Sequence, residues 1–289
     1  MTPKRLSELN GVLKEFPALK VVLVVDGGLQ PVVGVLQNLD VLPLIPSVRR
    51  LAVLSNSSTP LTSLGQLSGV DSLLEFSLGG FLDSKIDLAP LARHRDLESL
   101  ALELKLPKKG CRIIDGMVDL RSLSVESVNP ADLTCPNLQS LKLTKPGNGL
   151  ESIPEKFPTL RELFLQKVPK SASLTFLTLL TSLEKVTINY TPSLVELPDF
   201  GHHAQLRYVE LLEARNLSSL EPLCSVKSME TLCLTGANHL SPNSCTCLRK
   251  LPQLRDVYTA FSNSALEKLF SEMAEECGWI TRHPSVLVR

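Results

Sequence analysis

The side chains in this sequence that are best suited to chemistry are seven cysteines and five histidines. Four of the cysteines and one histidine lie close together in the C-terminal third, and these residue types are the usual ligands of a structural zinc ion. They are Cys224, Cys233, His239, Cys245 and Cys247. No pair among them has the Cys-X-X-Cys spacing, and an odd number of scattered cysteines is typical of free, buried thiols in a reducing compartment. We therefore expect buried thiols, no metal ion and no cofactor.

The sequence also lacks the common catalytic motifs. It contains no glycine-rich phosphate loop, no HExxH zinc-protease motif and no GxSxG nucleophile elbow. The His202–His203 pair follows a turn sequence, and we expect both imidazoles to be solvated. Catalysis needs a nucleophile, a base and an orienting group that converge in one pocket. We expect no catalytic residues and no enzymatic activity.

Charge and composition restrict the class of partner. The 289 residues include 30 basic and 30 acidic side chains, so the formal net charge is zero, and 43% of the residues are hydrophobic. Without a Lys/Arg-rich run, neither nucleic acid nor an anionic membrane is expected as the main partner. No apolar stretch is long enough to span a bilayer. The first 16 residues lack the apolar stretch of a secretory signal, so we expect a cytoplasmic protein, monomeric on its own.

A repeat accounts for most of the 58 leucines. One phrase recurs: a leucine, two residues, an apolar residue, one residue and another apolar residue. Clear copies begin at Leu97, Leu120, Leu138, Leu160, Leu183, Leu206 and Met229, and weaker copies at Leu19, Val48, Val70 and Leu254. Their spacings of 18 to 29 residues lie close to the period of repeats that stack into solenoids.

On this phrase, residues 16–260 resemble the leucine-rich repeat family. The resemblance implies an α/β solenoid, a curved horseshoe of about 11 repeats with a parallel sheet on its concave face. The family's usual asparagine or cysteine after the phrase is replaced by Thr191, Ala214 and Ala237 in three repeats. Members of this family act as inhibitors, as substrate receptors or as sensors. The resemblance therefore implies a protein-binding module.

The remaining segments are assigned around these repeats. We expect a single domain over residues 1–289, with an N-terminal cap helix at 1–16, repeats at 17–260 and a C-terminal cap at 261–289. Thr2 is the expected N-cap of the first helix, and Ser264 with Glu267 has the pattern of a capping box for the last. Short helical turns are expected within 87–95, 171–180 and 32–39. The 18-residue repeat at 120–137 is expected to return in extended form.

Residues between the buried positions of each strand must face the opposite side of the sheet. In the C-terminal repeats these outward positions combine aromatic residues with charged ones, the composition of an interface hot spot. The predicted partner-binding residues are Lys142, Glu162, Phe164, Lys185, Asn189, Tyr208, Glu210, Leu212, Asp256 and Tyr258. The same offsets place Val21, Leu23 and Val25 outward in the first repeat.

These residues predict a non-enzymatic module that captures or inhibits a partner protein through its concave face. A bacterial immunity protein that neutralises a toxin would act in this way. The alternative is a structural or adaptor subunit, such as a substrate receptor or signalling scaffold, that docks through its ends into a larger assembly. A further column of arginines and glutamates, at the residue after each first leucine, is expected to form ion pairs between repeats.

Overall fold

The computed structural model describes residues 2–25, 38–56 and 60–281, and the fold consists of two compact units. The first unit contains residues 1–128 and 132–138, and the second contains residues 129–131 and 139–289.

The described residues form twelve short strands joined by helical turns. The strands are β1 Lys20–Val25, β2 Arg50–Ser55, β3 Glu75–Gly80, β4 Ser99–Lys105, β5 Ser122–Glu126, β6 Ser140–Thr144, β7 Glu162–Gln166, β8 Lys185–Asn189, β9 Tyr208–Leu212, β10 Thr231–Thr235, β11 Asp256–Ala260 and β12 Ile280–Thr281. The α-helices are α1 Pro3–Glu15, α2 Lys108–Asp115, α3 Ile153–Lys156, α4 Pro242–Cys245 and α5 Ser264–Cys277. The 3-10 helices are Leu42–Leu44, Gly65–Gly69, Ala89–Arg93, Pro130–Asp132, Leu150–Ser152, Thr175–Leu179, Glu221–Leu223 and Thr246–Lys250.

In the first unit β1 to β5 pair in sequence order, and every pair is parallel. In the second unit β6 to β12 do the same. Most strands bury two side chains two residues apart, as Leu163 and Leu165 of β7 show. Because a single coil is too thin to cover these side chains on both sides, the leucines of neighbouring coils must pack on one another.

Two repeats begin at other residues than the sequence analysis predicted. In the first repeat Val21 and Leu23 align with Leu51 and Val53 of β2, so the predicted copy at Leu19 is shifted by one residue. Leu23 and Val25 are consequently buried, and the prediction that they face outward is wrong. In the third repeat Leu73, Phe76 and Leu78 form the phrase, which replaces the predicted start at Val70.

The residue three positions before each phrase closes the core on the return side. It is buried in ten successive coils: Ile45, Val70, His94, Met117, Cys135, Phe157, Leu180, His203, Val226 and Leu251. In nine of these coils its N–H donates to a carbonyl three or four residues earlier, as from His203 to Phe200 at 2.9 Å, which forms a tight turn at this point. Two histidines therefore occupy positions that are otherwise mostly apolar.

The return segments are mostly short 3-10 turns. Those predicted within 87–95 and 171–180 are confirmed as Ala89–Arg93 and Thr175–Leu179. The return within 120–137 is extended apart from one 3-10 turn at Pro130–Asp132. Most of the helical turn predicted at 32–39 lies outside the described residues. Helix α2 was not predicted from the sequence.

A column of left-handed residues follows the strands. Seven residues directly after a strand, or at its last position, have positive φ angles: Gly80, Ser127, Lys145, Lys167, Tyr190, Glu213 and Gly236. Several of their N–H groups donate to the last strand residue of the next coil, as from Tyr190 to the Leu212 carbonyl at 2.9 Å. These backbone hydrogen bonds stabilise the turns that, in this chain, lack the family's usual asparagine or cysteine.

The two terminal helices differ in how well the sequence predicts them. Thr2 caps α1 as predicted, since its Oγ1 accepts a hydrogen bond from the Arg5 N–H at 3.5 Å. The capping box predicted at Ser264 is wrong, because Asn263 is the N-cap of α5 and its side chain accepts hydrogen bonds from the Ala265 and Leu266 N–H groups. Glu267 instead accepts a hydrogen bond from the Phe261 N–H at 2.6 Å. Since β12 follows α5 and pairs with β11, α5 forms the return segment of a further coil.

Candidate partner-binding face

All ten predicted site residues belong to the second unit, on β6, β7, β8, β9 and β11. They point away from the buried leucine rows and are exposed or half-buried. We call this surface, made by the outward residues of β6 to β11, the strand face. The parallel register arranges its residues in rows that run across the strands, and neighbouring residues in a row lie about 4.8 Å apart. The central row contains Lys142, Phe164, Thr187, Glu210, Cys233 and Tyr258.

Two lysines of the strand face rest on aromatic rings of the following coil. Lys142 Nζ lies 4.9 Å from the centre of the Phe164 ring, and Lys185 Nζ lies 4.5 Å from the centre of the Tyr208 ring. At these distances an ammonium group is attracted by the negative face of the ring. Both rings are thereby held in place, and both lysines are partly engaged within the protein.

Glu210 lies at the centre of the strand face between two small buried residues. The Thr187 hydroxyl donates to Glu210 Oε2 at 2.9 Å. Thr187 is 1% exposed and Cys233 is fully buried, although strand alternation places both on the same side of the sheet as Glu210. Burial, followed by the charge of Glu210, raises the pKa of Cys233 to about 12, so its thiol stays protonated at neutral pH.

Tyr208 is half-buried beside Glu210. Burial raises the pKa of Tyr208 well above its usual range, and the nearby Glu210, Cys233 and Tyr258 raise it further. The phenol therefore stays neutral, and it lies close to all three groups. Asp256 is opposite Thr231, two residues before Tyr258 on the same strand. The structure thus brings Tyr208, Glu210, Asp256 and Tyr258 around one patch.

The other predicted site residues lie farther from this patch. Glu162 accepts a hydrogen bond from the Ser140 hydroxyl at 3.1 Å, beside Lys142 and Phe164. Asn189 and Leu212 pair with each other at the ends of β8 and β9. The predicted residues therefore form one continuous face rather than a single pocket.

Sequence reasoning missed a cluster at the edge of this face. Lys167 Nζ and Arg215 Cζ each lie 5.9 Å from the centre of the exposed Tyr190 ring. Arg215 also forms an ion pair with Glu213 at 2.9 Å. Lys167, Tyr190 and Glu213 all occupy the left-handed position seven residues after the first leucine. Glycine occupies this position in two other repeats, at Gly80 and Gly236, and this was the signal in the sequence for a left-handed turn.

The predicted ion pairs between repeats are confirmed at two places. Arg161 pairs with Glu184 at 3.2 Å, and Arg207 pairs with Glu230 at 3.7 Å. The backbone beneath them also joins the coils. The N–H groups of Glu184 and Lys185 both donate to the Arg161 carbonyl, at 2.8 and 3.0 Å. The same forked bond recurs from coil to coil along the second unit.

Parallel strands one repeat apart, a leucine row in register and this backbone ladder together decide the fold. The chain is a leucine-rich repeat solenoid.

No family model and no curated protein sequence matches it. Among solved structures, an internalin of Listeria monocytogenes is 14% identical, covers 97% of this chain and 88% of its own, and has a TM-score of 0.47. The mouse RP105/MD-1 complex contains a chain 14% identical, covering 91% of this chain and 63% of its own, with a TM-score of 0.42. The assignment rests on the solenoid's own strands.

The cysteines of the solenoid do not gather around a metal site. Cys224 and Cys247 form a disulfide with their Cα atoms 5.7 Å apart, so the expectation of free thiols is wrong for this pair. The other five cysteines are free. Over the described part of the chain, no group of three or more His, Cys, Asp or Glu residues is arranged to hold a metal ion.

The prediction for the histidine pair is half correct. His202 is exposed, but His203 is buried, with its ring against Phe200. The Nε2 atom of His203 lies 2.9 Å from the Leu177 carbonyl oxygen, and its Nδ1 atom lies 3.3 Å from the Phe200 carbonyl oxygen. Burial lowers the pKa of His203 despite these two carbonyls. Its role is structural, because its backbone contacts hold the return side of the coil.

A cavity of about 490 Å³ opens on the return side of the second unit. Hydroxyl groups of Ser173, Thr175 and Ser193 line it together with aliphatic side chains, and Glu196 is the titratable residue of its lining. No nucleophile paired with a base appears in this lining. Among the described residues, no helix has both the length and the apolar composition needed to cross a bilayer.

Proposed function

We propose that this solenoid is a non-enzymatic module that captures a partner protein on the strand face of its second unit. The observation that carries the proposal is the set of three aromatic rings on that face, at Phe164, Tyr208 and Tyr258, each half-buried among charged residues. In the first unit, by contrast, β4 and β5 present mainly small residues such as Ser99, Ala101 and Ser122 outward.

The chemistry of these rings suits a hot spot. Interface energy is concentrated in a few aromatic and arginine anchors surrounded by weaker contacts that exclude water. Phe164 and Tyr208 are already fixed by Lys142 and Lys185, so they lose little conformational freedom on binding. A surface with this arrangement favours a protein partner over nucleic acid, and the net charge of zero supports the same choice.

Stoichiometric capture or inhibition is the mechanism that such a face can provide without a catalytic centre. A bacterial immunity protein acts in this way on a toxin, and we propose this role as one form of the function. Identification of the captured partner as a toxin whose activity the solenoid abolishes would support it. A partner that remains fully active in the complex would contradict inhibition while leaving capture intact.

The proposal is tested by capture with matched variants. Phe164→Ala combined with Tyr208→Ala removes two rings of the strand face. Leu179→Ala combined with Val195→Ala removes two side chains that are 69% and 51% exposed elsewhere on the same unit. We expect a specific partner to be retained by the wild type and the second variant and lost by the first, with circular dichroism confirming that all three are folded. Equal retention by both variants would refute the strand face as the site.

We also propose that the protein works in a reducing compartment such as the cytoplasm. Five of the seven cysteines are free, and four of these are buried, which supports the proposal. The Cys224–Cys247 disulfide is the feature that opposes it. Lysis of cells directly into denaturant that contains an alkylating reagent distinguishes the two, because the buried thiols then react as well. Seven alkylated cysteines would support a reducing location, and five would contradict it.

A further inference from the structure

The aromatic residues of the strand face follow a pattern with one exception. Lys142 pairs in register with Phe164, and Lys185 pairs in register with Tyr208, so in each case the preceding coil supplies an ammonium group to the ring. The residue in register before Tyr258 is Cys233, which is fully buried. Among the described residues, no lysine or arginine lies over the Tyr258 ring.

The groups around this gap are acidic. Glu210 is in register with Cys233 on one side, and Asp256 lies two residues before Tyr258 on the other. Glu210 accepts a hydrogen bond from a threonine hydroxyl, and neither carboxylate forms an ion pair within the described ranges. Two strand spacings, about 10 Å, separate the coils that carry them. The ring of Tyr258 is therefore flanked by two carboxylates that have no cationic partner among the described residues.

The gap in the pattern is a patch of the strand face across β9, β10 and β11. Thr231 of β10 is half-buried and Cys233 is fully buried, and the larger Tyr208 and Glu210 of β9 and Asp256 and Tyr258 of β11 flank them. The Lys185 ammonium group already rests on the Tyr208 ring. This contact shows how a cation binds to an aromatic ring on the strand face.

We propose that this patch binds a lysine or arginine side chain of the partner protein, an inference that rests on the strand face being the site of capture. The cation contacts the Tyr258 ring and lies between the carboxylates of Glu210 and Asp256. It takes the place that Lys142 and Lys185 occupy over the other two rings. Recognition of this kind selects a partner that presents a basic residue at the centre of its interface.

The test uses the three tyrosines of the chain as reporters. Protein labelled with 3-fluorotyrosine gives one 19F resonance each for Tyr190, Tyr208 and Tyr258, assigned with Tyr→Phe variants. The probes are the amides of Nα-acetyl-arginine and Nα-acetyl-lysine, with Nα-acetyl-citrulline amide as the neutral control. We expect the arginine or the lysine probe to shift the Tyr258 and Tyr208 resonances, and the Tyr190 resonance to stay in place.

Variants show whether the carboxylates act. Glu210→Gln combined with Asp256→Asn should weaken binding of the cationic probes at least tenfold, with an unchanged melting temperature as the folding control. Equal binding of the citrulline probe, no shift at Tyr258, or no effect of the double variant would overturn the inference.

The captured partner separates this inference from the proposed function. If the Glu210→Gln/Asp256→Asn protein captures the partner as well as the wild type does, while Phe164→Ala/Tyr208→Ala does not, the cation site is refuted and capture by the strand face stands. If every variant captures equally, the proposed function itself fails. If both double variants lose the partner, both statements are supported.

Discussion

Alanine substitution of His202 and of His203 is a matched pair of perturbations, because the two residues are adjacent but only His203 is buried. His203 is 2% exposed, whereas His202 is exposed to solvent. We expect His203→Ala to lower the free energy of unfolding by several kcal/mol and His202→Ala to leave it nearly unchanged. The comparison tests whether the residue three positions before each phrase is a true core position.

The expected magnitude follows from the contacts of the ring. A neutral imidazole has one N–H, so the 2.9 Å contact from Nε2 to the Leu177 carbonyl is the hydrogen bond, and the 3.3 Å contact from Nδ1 to Phe200 is not. Leaving a buried carbonyl unpaired costs about 1–3 kcal/mol. Losing the edge-on contact with Phe200, at 5.1 Å between ring centres, costs about 1 kcal/mol. With the cavity, the total is about 3–5 kcal/mol.

The assay is urea denaturation followed by circular dichroism, supported by thermal melting. A loss of about 3–5 kcal/mol corresponds to a fall in melting temperature of roughly 5–8 °C for a chain of 289 residues. His202→Ala should change the free energy of unfolding by no more than about 0.5 kcal/mol. Equal effects of the two variants, or a loss below about 1 kcal/mol for His203→Ala, would refute the assignment of His203 to the core.

Three further predictions concern pH, thiols and glycines. Burial lowers the pKa of His94 and of His203, so the unfolded chain takes up protons at a higher pH than the folded chain does. The free energy of unfolding should therefore be constant above about pH 7.5 and fall as the pH drops below about 6.5. A His94→Leu variant should show a weaker dependence of this free energy on pH. Ellman titration of the native protein should find one fast thiol, at the exposed Cys277, with the remaining free thiols reacting only after unfolding. Gly80→Ala should destabilise the folded protein by about 3 kcal/mol, because its φ angle is +92° and the new Cβ would meet a backbone carbonyl. Gly11→Ala, in open space on α1, should stabilise the folded protein by about 0.5–1 kcal/mol in the same melting assay.

The stacked coils could be predicted because the leucine phrase carries both the strand period and the repeat period. The register of the first strand could not, since the sequence of Lys20–Val25 is apolar at five successive positions and has no alternation. In the third repeat the Leu73–Leu74 doublet allows two registers, and only pairing with β2 selects one.

The disulfide and the buried histidines could have been predicted from the sequence. Cys224 and Cys247 are 23 residues apart, which is one repeat, so they occupy equivalent places in neighbouring coils. His94 and His203 each precede a first leucine by three residues, the same place as Phe157 in another coil. Aligning the repeats at these positions predicts both the disulfide and the buried histidines.

The candidate face was predictable in outline but not in detail. Strand alternation places Glu210 and Tyr258 outward, and the structure agrees. The same rule also places Thr187 and Cys233 outward, yet both are buried because larger neighbours in adjacent coils cover them. Burial on this face depends on the relative size of side chains one coil away, which the phrase alone does not encode.

Site-specific photo-crosslinking tests the central claim most directly. A benzophenone amino acid is placed at Asn189 on the strand face or, as the control, at Leu179, which is 69% exposed on a return segment. We predict that the Asn189 protein forms an adduct with one partner, that unlabelled wild type competes for it, and that Phe164→Ala/Tyr208→Ala protein does not. An adduct that forms from Leu179 and not from Asn189 would contradict the account.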